Sequence, residues 1–312
     1  MDKPTKIQYC EKCGTKIEKI EITHKPKPIK ISTYMKDVIS KLLWYTPNNK
    51  HSKQSYTEPI LEDKLYEDFC FDYILNNMEV DPQNVTLIKH NKFFDNIETP
   101  YRESACRKCQ VIFFQTDNDQ TKTETLIRHI RNSVSHGYFN IIYGDTEKED
   151  MFVGFDETPS GKCTAILHIQ PVKLLNAIDF LTGEYPQLQE MLTAHALKKC
   201  GYKIGREEKF FDNNSCYEFD IIAEKNGKTY CFEIKDYKSK YIPQITITSQ
   251  MLYYKNVSSQ YNFTPVLLCD KSLLTEQTKQ LLKGKNIIVL DRNCISNLLS
   301  GIDVLENISQ GN

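Results

Sequence analysis

The chain has 312 residues, about enough for two ordinary domains, and 40% of them are hydrophobic, ample for packed cores. A formal net charge of −1 excludes a polycation, so any nucleic-acid binding must rest on local patches. No apolar run reaches the length of a membrane span, and the opening Met-Asp-Lys-Pro-Thr-Lys lacks the apolar segment of a secretory signal. A cytoplasmic protein without a membrane partner is therefore expected. Its eleven cysteines are then not a disulfide framework, because that compartment keeps thiols reduced. Seven stand singly, as small buried hydrophobes do. The other four form two C-x-x-C pairs.

The first 36 residues carry nine lysines against Asp2, Glu11, Glu18 and Glu21, either a basic patch or a solvated terminus. Residues 34–45 and 59–78 have apolar side chains at three- and four-residue spacing, among them Val38, Ile39 and Leu42, then Leu61, Leu65, Phe69 and Tyr73, and should be helices. The stretch 80–120 shows no clear period. A helix is expected over 121–136, a strand pair at 138–143 and 151–155, a further strand at Ala165–Ile169 and a helix at 172–181. Thr-Gly-Glu-Tyr-Pro then supplies the Gly and Pro that stop a helix, so a boundary falls near Gly183 to Pro186, dividing the chain into 1–183 and 184–312.

After the boundary the pattern alternates. A helix (186–200) ends at Gly201, and strands follow at about 202–211, 217–224 and 228–236. Asn226-Gly227 between the last two is a hairpin turn signal. A helix at about 242–257, a buried strand Pro265–Cys269, a helix at 272–283 and a last strand Asn286–Leu290 complete an α/β arrangement with a mixed sheet.

Chemistry concentrates first at Asp220 and at Glu233-Ile234-Lys235. Residues two apart on a strand share a face, so Glu233 and Lys235 point one way while Phe232 and Ile234 point into the opposite layer. A bend near Asp220 would set its carboxylate beside Glu233. Two carboxylates and a backbone carbonyl, that of Ile234, make a hard oxygen site suited to Mg²⁺ or Mn²⁺. A neighbouring lysine can orient a water and offset charge on a phosphate in flight. Glu-x-Lys also occurs at Glu62–Lys64 and Glu207–Lys209, but only Glu233–Lys235 sits on a hydrophobic strand after a turn, with an Asp on the strand before. A plain surface strand explains the alternation but not the apolar flanks Ile221, Ile222, Phe232 and Ile234, since charge on a covered strand is costly unless used or paired.

Asp220, Glu233 and Lys235 in helix–β–β–β–helix–β order resemble the PD-(D/E)xK nuclease superfamily, over about residues 186–300. Gln250-Met-Leu-Tyr-Tyr254 resembles the Q-x-x-x-Y element of its RecB-like branch, and Cys200-Gly201-Tyr202 after the opening helix is similar to Mrr-like restriction enzymes. The resemblance implies a restriction-endonuclease-like fold and phosphodiester hydrolysis, with Asp220, Glu233 and the Ile234 carbonyl on Mg²⁺. Lys235 would then be catalytic, and Gln250 and Tyr254 would support it on the helix face that looks onto the active site. Glu190 is the candidate for an acidic residue from the first helix, though glutamate is common on solvated helices. The superfamily's proline before the first Asp is absent; Glu218-Phe219 stands there.

The second concentration is Arg131-Asn132-Ser-Val-Ser-His136-Gly137. Five residues apart on a continuous helix, Arg131 and His136 would not share a face. Gly137 is a helix stop, however, which frees His136 in the last turn. An arginine beside a histidine can hold a phosphate while the imidazole moves a proton. The string resembles the R-N-x-x-x-H motif of HEPN domains, helical modules of which many are metal-independent ribonucleases, over about 34–182. The resemblance implies a mainly α N-terminal domain, catalytic Arg131 and His136, supporting Asn132, a homodimer, and RNA as substrate with its ribose hydroxyl attacking.

Cys10-x-x-Cys13 and Cys106-x-x-Cys109 each look like a zinc knuckle. Four thiolates suit tetrahedral Zn²⁺; independent reduced thiols or an iron–sulfur cluster are the alternatives. The expectation is thus a two-domain, metal-dependent nuclease, with DNA favoured at the C-terminal site, serving prokaryotic defence against phage and plasmids. Its rivals are a HEPN ribonuclease toxin whose C-terminal domain only binds nucleic acid, and a non-catalytic binding or regulatory dimer.

Overall fold

The computed structural model describes residues 8–18, 31–45, 59–90, 92–94, 101, 105–183, 186–212, 215–235 and 243–310. Most of the lysine-rich first 36 residues lie outside these. Two compact units divide at Gly183/Glu184. No helix among the described residues is long and apolar enough to cross a membrane.

The first unit contains the helices α1 (Thr33–Trp44), α2 (Pro59–Glu62), α3 (Glu67–Met78), α4 (Lys122–Ser135) and α5 (Pro171–Thr182). The expected continuous helix over 59–78 is broken at Asp63, whose side chain accepts from the Leu65 N–H and starts a short 3-10 turn. Strands β1 (Ile17–Glu18) and β3 (Ala105–Cys106) form a small antiparallel pair. Strands β2 (Val85–Ile88), β4 (Val111–Gln115), β5 (Phe139–Ile142), β6 (Met151–Glu157) and β7 (Cys163–Ile169) form a sheet of order β2-β4-β7-β6-β5, antiparallel except for β2–β4.

This sheet is larger than the sequence expects, because the unassigned stretch 80–120 supplies β2 and β4. In β4 only Ile112 and Phe114 are fully buried, and the strand is short, so its period is faint in sequence. All of β7 is buried, as befits a strand covered on both faces. On one side Phe114 meets Phe71 of α3 and His129 of α4. On the other, Phe94 packs with Val153, Phe155 and Ile166, with Tyr101 against them.

The second unit opens with α6 (Pro186–Lys199) and a meander of β8 (Lys203–Asp212), β9 (Ser215–Lys225) and β10 (Lys228–Ile234). Asn226 and Gly227 both take positive φ, 52° and 71°, the mirror-image turn whose twist matches antiparallel strands. Helix α7 (Gln244–Gln260) crosses over to β11 (Phe263–Leu268), which pairs parallel to β10. Helix α8 (Glu276–Gly284) leads to β12 (Ile288–Leu290), giving the order β12-β11-β10-β9-β8. Helices α9 (Arg292–Leu299) and α10 (Val304–Gln310) close the unit, α9 packing on α6. Strand β10 is thus central. Ile247 and Met251 of α7 pack on Leu267, and Val257 packs on Phe219 and Cys231, so α7 covers one sheet face.

Candidate functional site

Strands β9 and β10 pair from Lys225↔Lys228 to Ile221↔Phe232. At the next step the Asp220 side chain takes the place of the backbone ladder: its Oδ2 accepts from the Ile234 N–H at 2.6 Å. Glu233 is 4% exposed, on the face that α7 covers. Its Oε1 forms an ion pair with Lys235 and accepts from Gln250 Nε2 at 2.7 Å. Gln250 Nε2 also lies 3.3 Å from the Tyr254 hydroxyl, one helical turn on, where the ring packs on Phe219. The structure therefore brings Asp220, Glu233, Lys235, Gln250 and Tyr254 together.

Burial pushes the carboxyls of both Asp220 and Glu233 up. For Glu233, Lys235 offsets part of this and the Asp220 charge adds to it; for Asp220, the Ile234 N–H and Lys235 act against it. The Tyr254 phenol is pushed up to about 12, chiefly by burial. A cavity of about 280 Å³ opens onto these groups. Gln187 and Glu190 from α6 line it, with Glu218 and Asp220 from β9, Glu233 from β10 and Tyr254 from α7. Four carboxylates around one cavity, two of them desolvated, form an oxygen donor set of the kind that holds a hard divalent cation. The sequence reading did not single out Gln187 or Glu218. Glu218 could have been found, since it lies two residues before Asp220 on the same strand face.

In the first unit, α4 starts from a capping box in which Thr121 and Glu124 satisfy each other's backbone N–H groups. It ends at Ser135. His136 caps it, with its N–H on the Asn132 carbonyl at 2.9 Å, and Gly137 turns the chain at φ +71°. The His136 side chain is exposed, its ring 6.0 Å from that of Tyr138. Arg131 is half-buried, and its Nη2 lies 3.4 Å from Asn132 Oδ1. Burial, then the charge of Arg128, lowers the Arg131 pKa, and Asp156 opposes them. No hydrogen bond joins Arg131 to His136 among the described residues. Asn132 Nδ2 donates to Asp156 Oδ2 at 3.0 Å, and His129 Nδ1 is hydrogen-bonded to the same oxygen at 2.7 Å. The motif reading did not include His129 or Asp156, which no short sequence pattern links.

The two cysteine pairs meet. The Sγ atoms of Cys10, Cys13, Cys106 and Cys109 all lie within 4.8 Å of one another, at 3.7 Å for Cys10–Cys109, 3.3 Å for Cys13–Cys106 and 3.7 Å for Cys13–Cys109. Ligand distances of about 2.3 Å around a tetrahedral zinc put sulfurs roughly 3.8 Å apart, so the cluster has the size to hold a metal ion. The first pair sits in a tight loop, with Gly14 at φ +68° donating to the Cys10 carbonyl at 2.8 Å. Pairing of Ile17 with Cys106 brings the second pair to it across 93 to 99 residues of chain.

Residues 6–188, more than half of the chain, match a model of HEPN domains. The chain belongs to the family described as HEPN pEK499 p136. A search of curated proteins finds no match. Among solved structures, the chain is similar to AF1548, a protein of unknown function, at 15% identity and TM-score 0.31, over 38% of this chain and 65% of that one. It is similar to Can2 from Sulfobacillus thermosulfidooxidans, solved with cyclic tetra-adenylate, at 13% identity and TM-score 0.32, over 47% and 41%. EndoMS in its apo form aligns at 12% identity and TM-score 0.25, over 49% and 64%. The chain thus spans less than two thirds of the length of each, and at these scores the likeness carries no functional argument.

Proposed function

We propose that the protein is a nuclease whose C-terminal unit hydrolyses phosphodiester bonds, DNA being the favoured substrate, with Mg²⁺ or Mn²⁺ held by Asp220, Glu233 and the Ile234 carbonyl. The observation that carries this reading is the meeting of the buried Glu233 and the half-buried Asp220 at one open, acid-lined cavity, with Lys235 paired to Glu233. Burial makes both carboxylates costly as anions, and a divalent cation is the partner that offsets that cost. The ion would polarise the phosphoryl oxygen and lower the pKa of its water. Lys235 orients the attacking water and offsets charge on the phosphate, while Gln250 and Tyr254 hold Glu233 in place. Glu190 belongs to the same donor set. Cleavage of labelled DNA in Mg²⁺ tests this: Glu233→Ala and Lys235→Ala should abolish it, and cleavage surviving both would rule the site out. The pairing of such a unit with a HEPN module suits a defence role against phage or plasmids, by analogy.

A second reading is favoured by the exposed His136 standing at the end of the helix that carries Arg131. In it Arg131 and His136 cut RNA without metal, Asn132 supports them, and two copies of the motif face each other in a homodimer. RNA cleavage in EDTA that His136→Ala removes would establish it; no such cleavage would refute it.

The four cysteines fit one Zn²⁺, on the sulfur separations above. Metal content of the purified protein tests this, with one equivalent expected and none after Cys10→Ser with Cys13→Ser.

A further inference from the structure

Beneath the R-N-x-x-x-H segment lies a buried polar chain that neither site reading uses. His129 is 2% exposed and Asp156 4%. Charged side chains buried so deeply persist only when each hydrogen-bonding atom is matched. Here both ring nitrogens of the histidine are matched: Nδ1 lies 2.7 Å from Asp156 Oδ2, and Nε2 donates to the Gln115 carbonyl at 3.0 Å. Both ring nitrogens thus have oxygen partners, one on β6 and one on β4, which fixes the ring between the two strands. Asp156 sits at a register shift between β6 and β7, a device that re-aims a side chain out of the ladder. Gly154, two residues earlier, lets β6 approach α4: a Cβ there would lie 2.6 Å from the Phe152 ring and 3.0 Å from Ser133 Cβ.

The same Asp156 oxygen accepts from Asn132 Nδ2 at 3.0 Å. A carboxylate accepts only, so it fixes which end of the Asn132 carboxamide faces inward. The amide oxygen is left toward Arg131, whose Nη2 lies 3.4 Å away. We propose that His129 and Asp156 are positioning residues of the R-N-x-x-x-H site: they lock the Asn132 carboxamide so that its oxygen, not a carboxylate, orients Arg131. The His129 ring and the Asn132 amide occupy Asp156 Oδ2, so the Arg131 guanidinium remains available to an anion, here a phosphodiester. This rests on the ribonuclease reading of that site.

The test is RNA cleavage in EDTA by the full chain, with binding of a non-cleavable 2′-O-methyl RNA alongside. The variants are Arg131→Ala, Asp156→Asn, Asn132→Ala, and each of the last two combined with Arg131→Ala. Asp156→Asn lets Asn132 turn its amide nitrogen toward Arg131. Loss of a partner that orients a functional group typically lowers activity on the order of 10- to 100-fold. If Asp156 acts through Arg131, the single variants lose cleavage and RNA affinity, and each double variant is no worse than Arg131→Ala alone. Should Asp156→Asn misfold, Asn132→Ala makes the same test, because it leaves the His129–Asp156 pair intact. Multiplying losses in the double variants, or wild-type behaviour of Asn132→Ala and Asp156→Asn, overturns the positioning role. Unchanged RNA cleavage and binding in Arg131→Ala is a distinct result: it removes the ribonuclease reading itself and this proposal with it.

Discussion

Removing the proposed zinc should destabilise the first unit by a calculable amount. The link from Cys10 to Cys109 spans 99 residues. Cross-linking a loop of about 100 residues stabilises a fold by roughly 4.7 kcal/mol at 25 °C in the chain-entropy account. That value applies if the metal stays on the denatured chain; if the metal leaves on unfolding, its own binding free energy adds. For a unit of this size, 1 kcal/mol moves Tm by about 2–4 °C. Chelation, or Cys10→Ser with Cys13→Ser, should therefore lower the Tm of the first unit by at least roughly 10 °C. The assay is differential scanning calorimetry with and without a strong chelator, with metal content measured on the same samples. Limited proteolysis should also cut within residues 8–18 first, because the knuckle joins them to β3. A protein that contains one equivalent of zinc but melts at the same temperature after chelation would show that the metal does not cross-link the unit. One that never contains metal would refute the zinc site itself.

Glu233→Gln and Asp220→Asn should each lower Mg²⁺-dependent cleavage by at least about 10²–10³-fold, the range for loss of one electrostatic group at a reacting centre; circular dichroism should show both folded. Both carboxyls are raised by burial. A raised folded pKa means stability present below the unfolded value and lost as pH rises through the folded one. The metal-free second unit should therefore lose stability as pH rises from about 4 through those raised values, and Glu233→Gln should flatten the profile followed by thermal melts. Metal binding needs the ionised carboxylates, so apparent Mg²⁺ affinity should fall as pH drops through the same window, as calorimetric titration would show. In the first unit, Gly154→Ala should cost about 1–3 kcal/mol in urea unfolding, the usual range for overpacking, because its methyl would press on the buried Phe152 ring.

The second unit's topology was legible because each signal there is local. Asn226-Gly227 fixes a hairpin, the apolar flanks of Glu233 mark a covered strand, and Gln250 and Tyr254 are one helical turn apart. The two terminal helices were missed; α9 carries its core contacts on Ile295, Leu298 and Leu299 alone. In the first unit β2 and β4 were invisible because the parallel pairing that joins them is set by partners distant in sequence. The same holds for His129 and Asp156, which are 27 residues apart and meet only because β6 lies against α4. The cysteine pairs could be read as pairs. Their meeting across helices and strands could not be derived from spacing, since it depends on the β1–β3 pairing.

The most direct measurement is cleavage of labelled DNA and RNA by wild type, Glu233→Ala and His136→Ala, each in Mg²⁺ and in EDTA. DNA cleavage is expected that requires Mg²⁺, is lost in Glu233→Ala and persists in His136→Ala. Wild type that leaves DNA uncut in Mg²⁺ but cuts RNA in EDTA, stopped only by His136→Ala, would contradict this and would make the R-N-x-x-x-H site the enzyme.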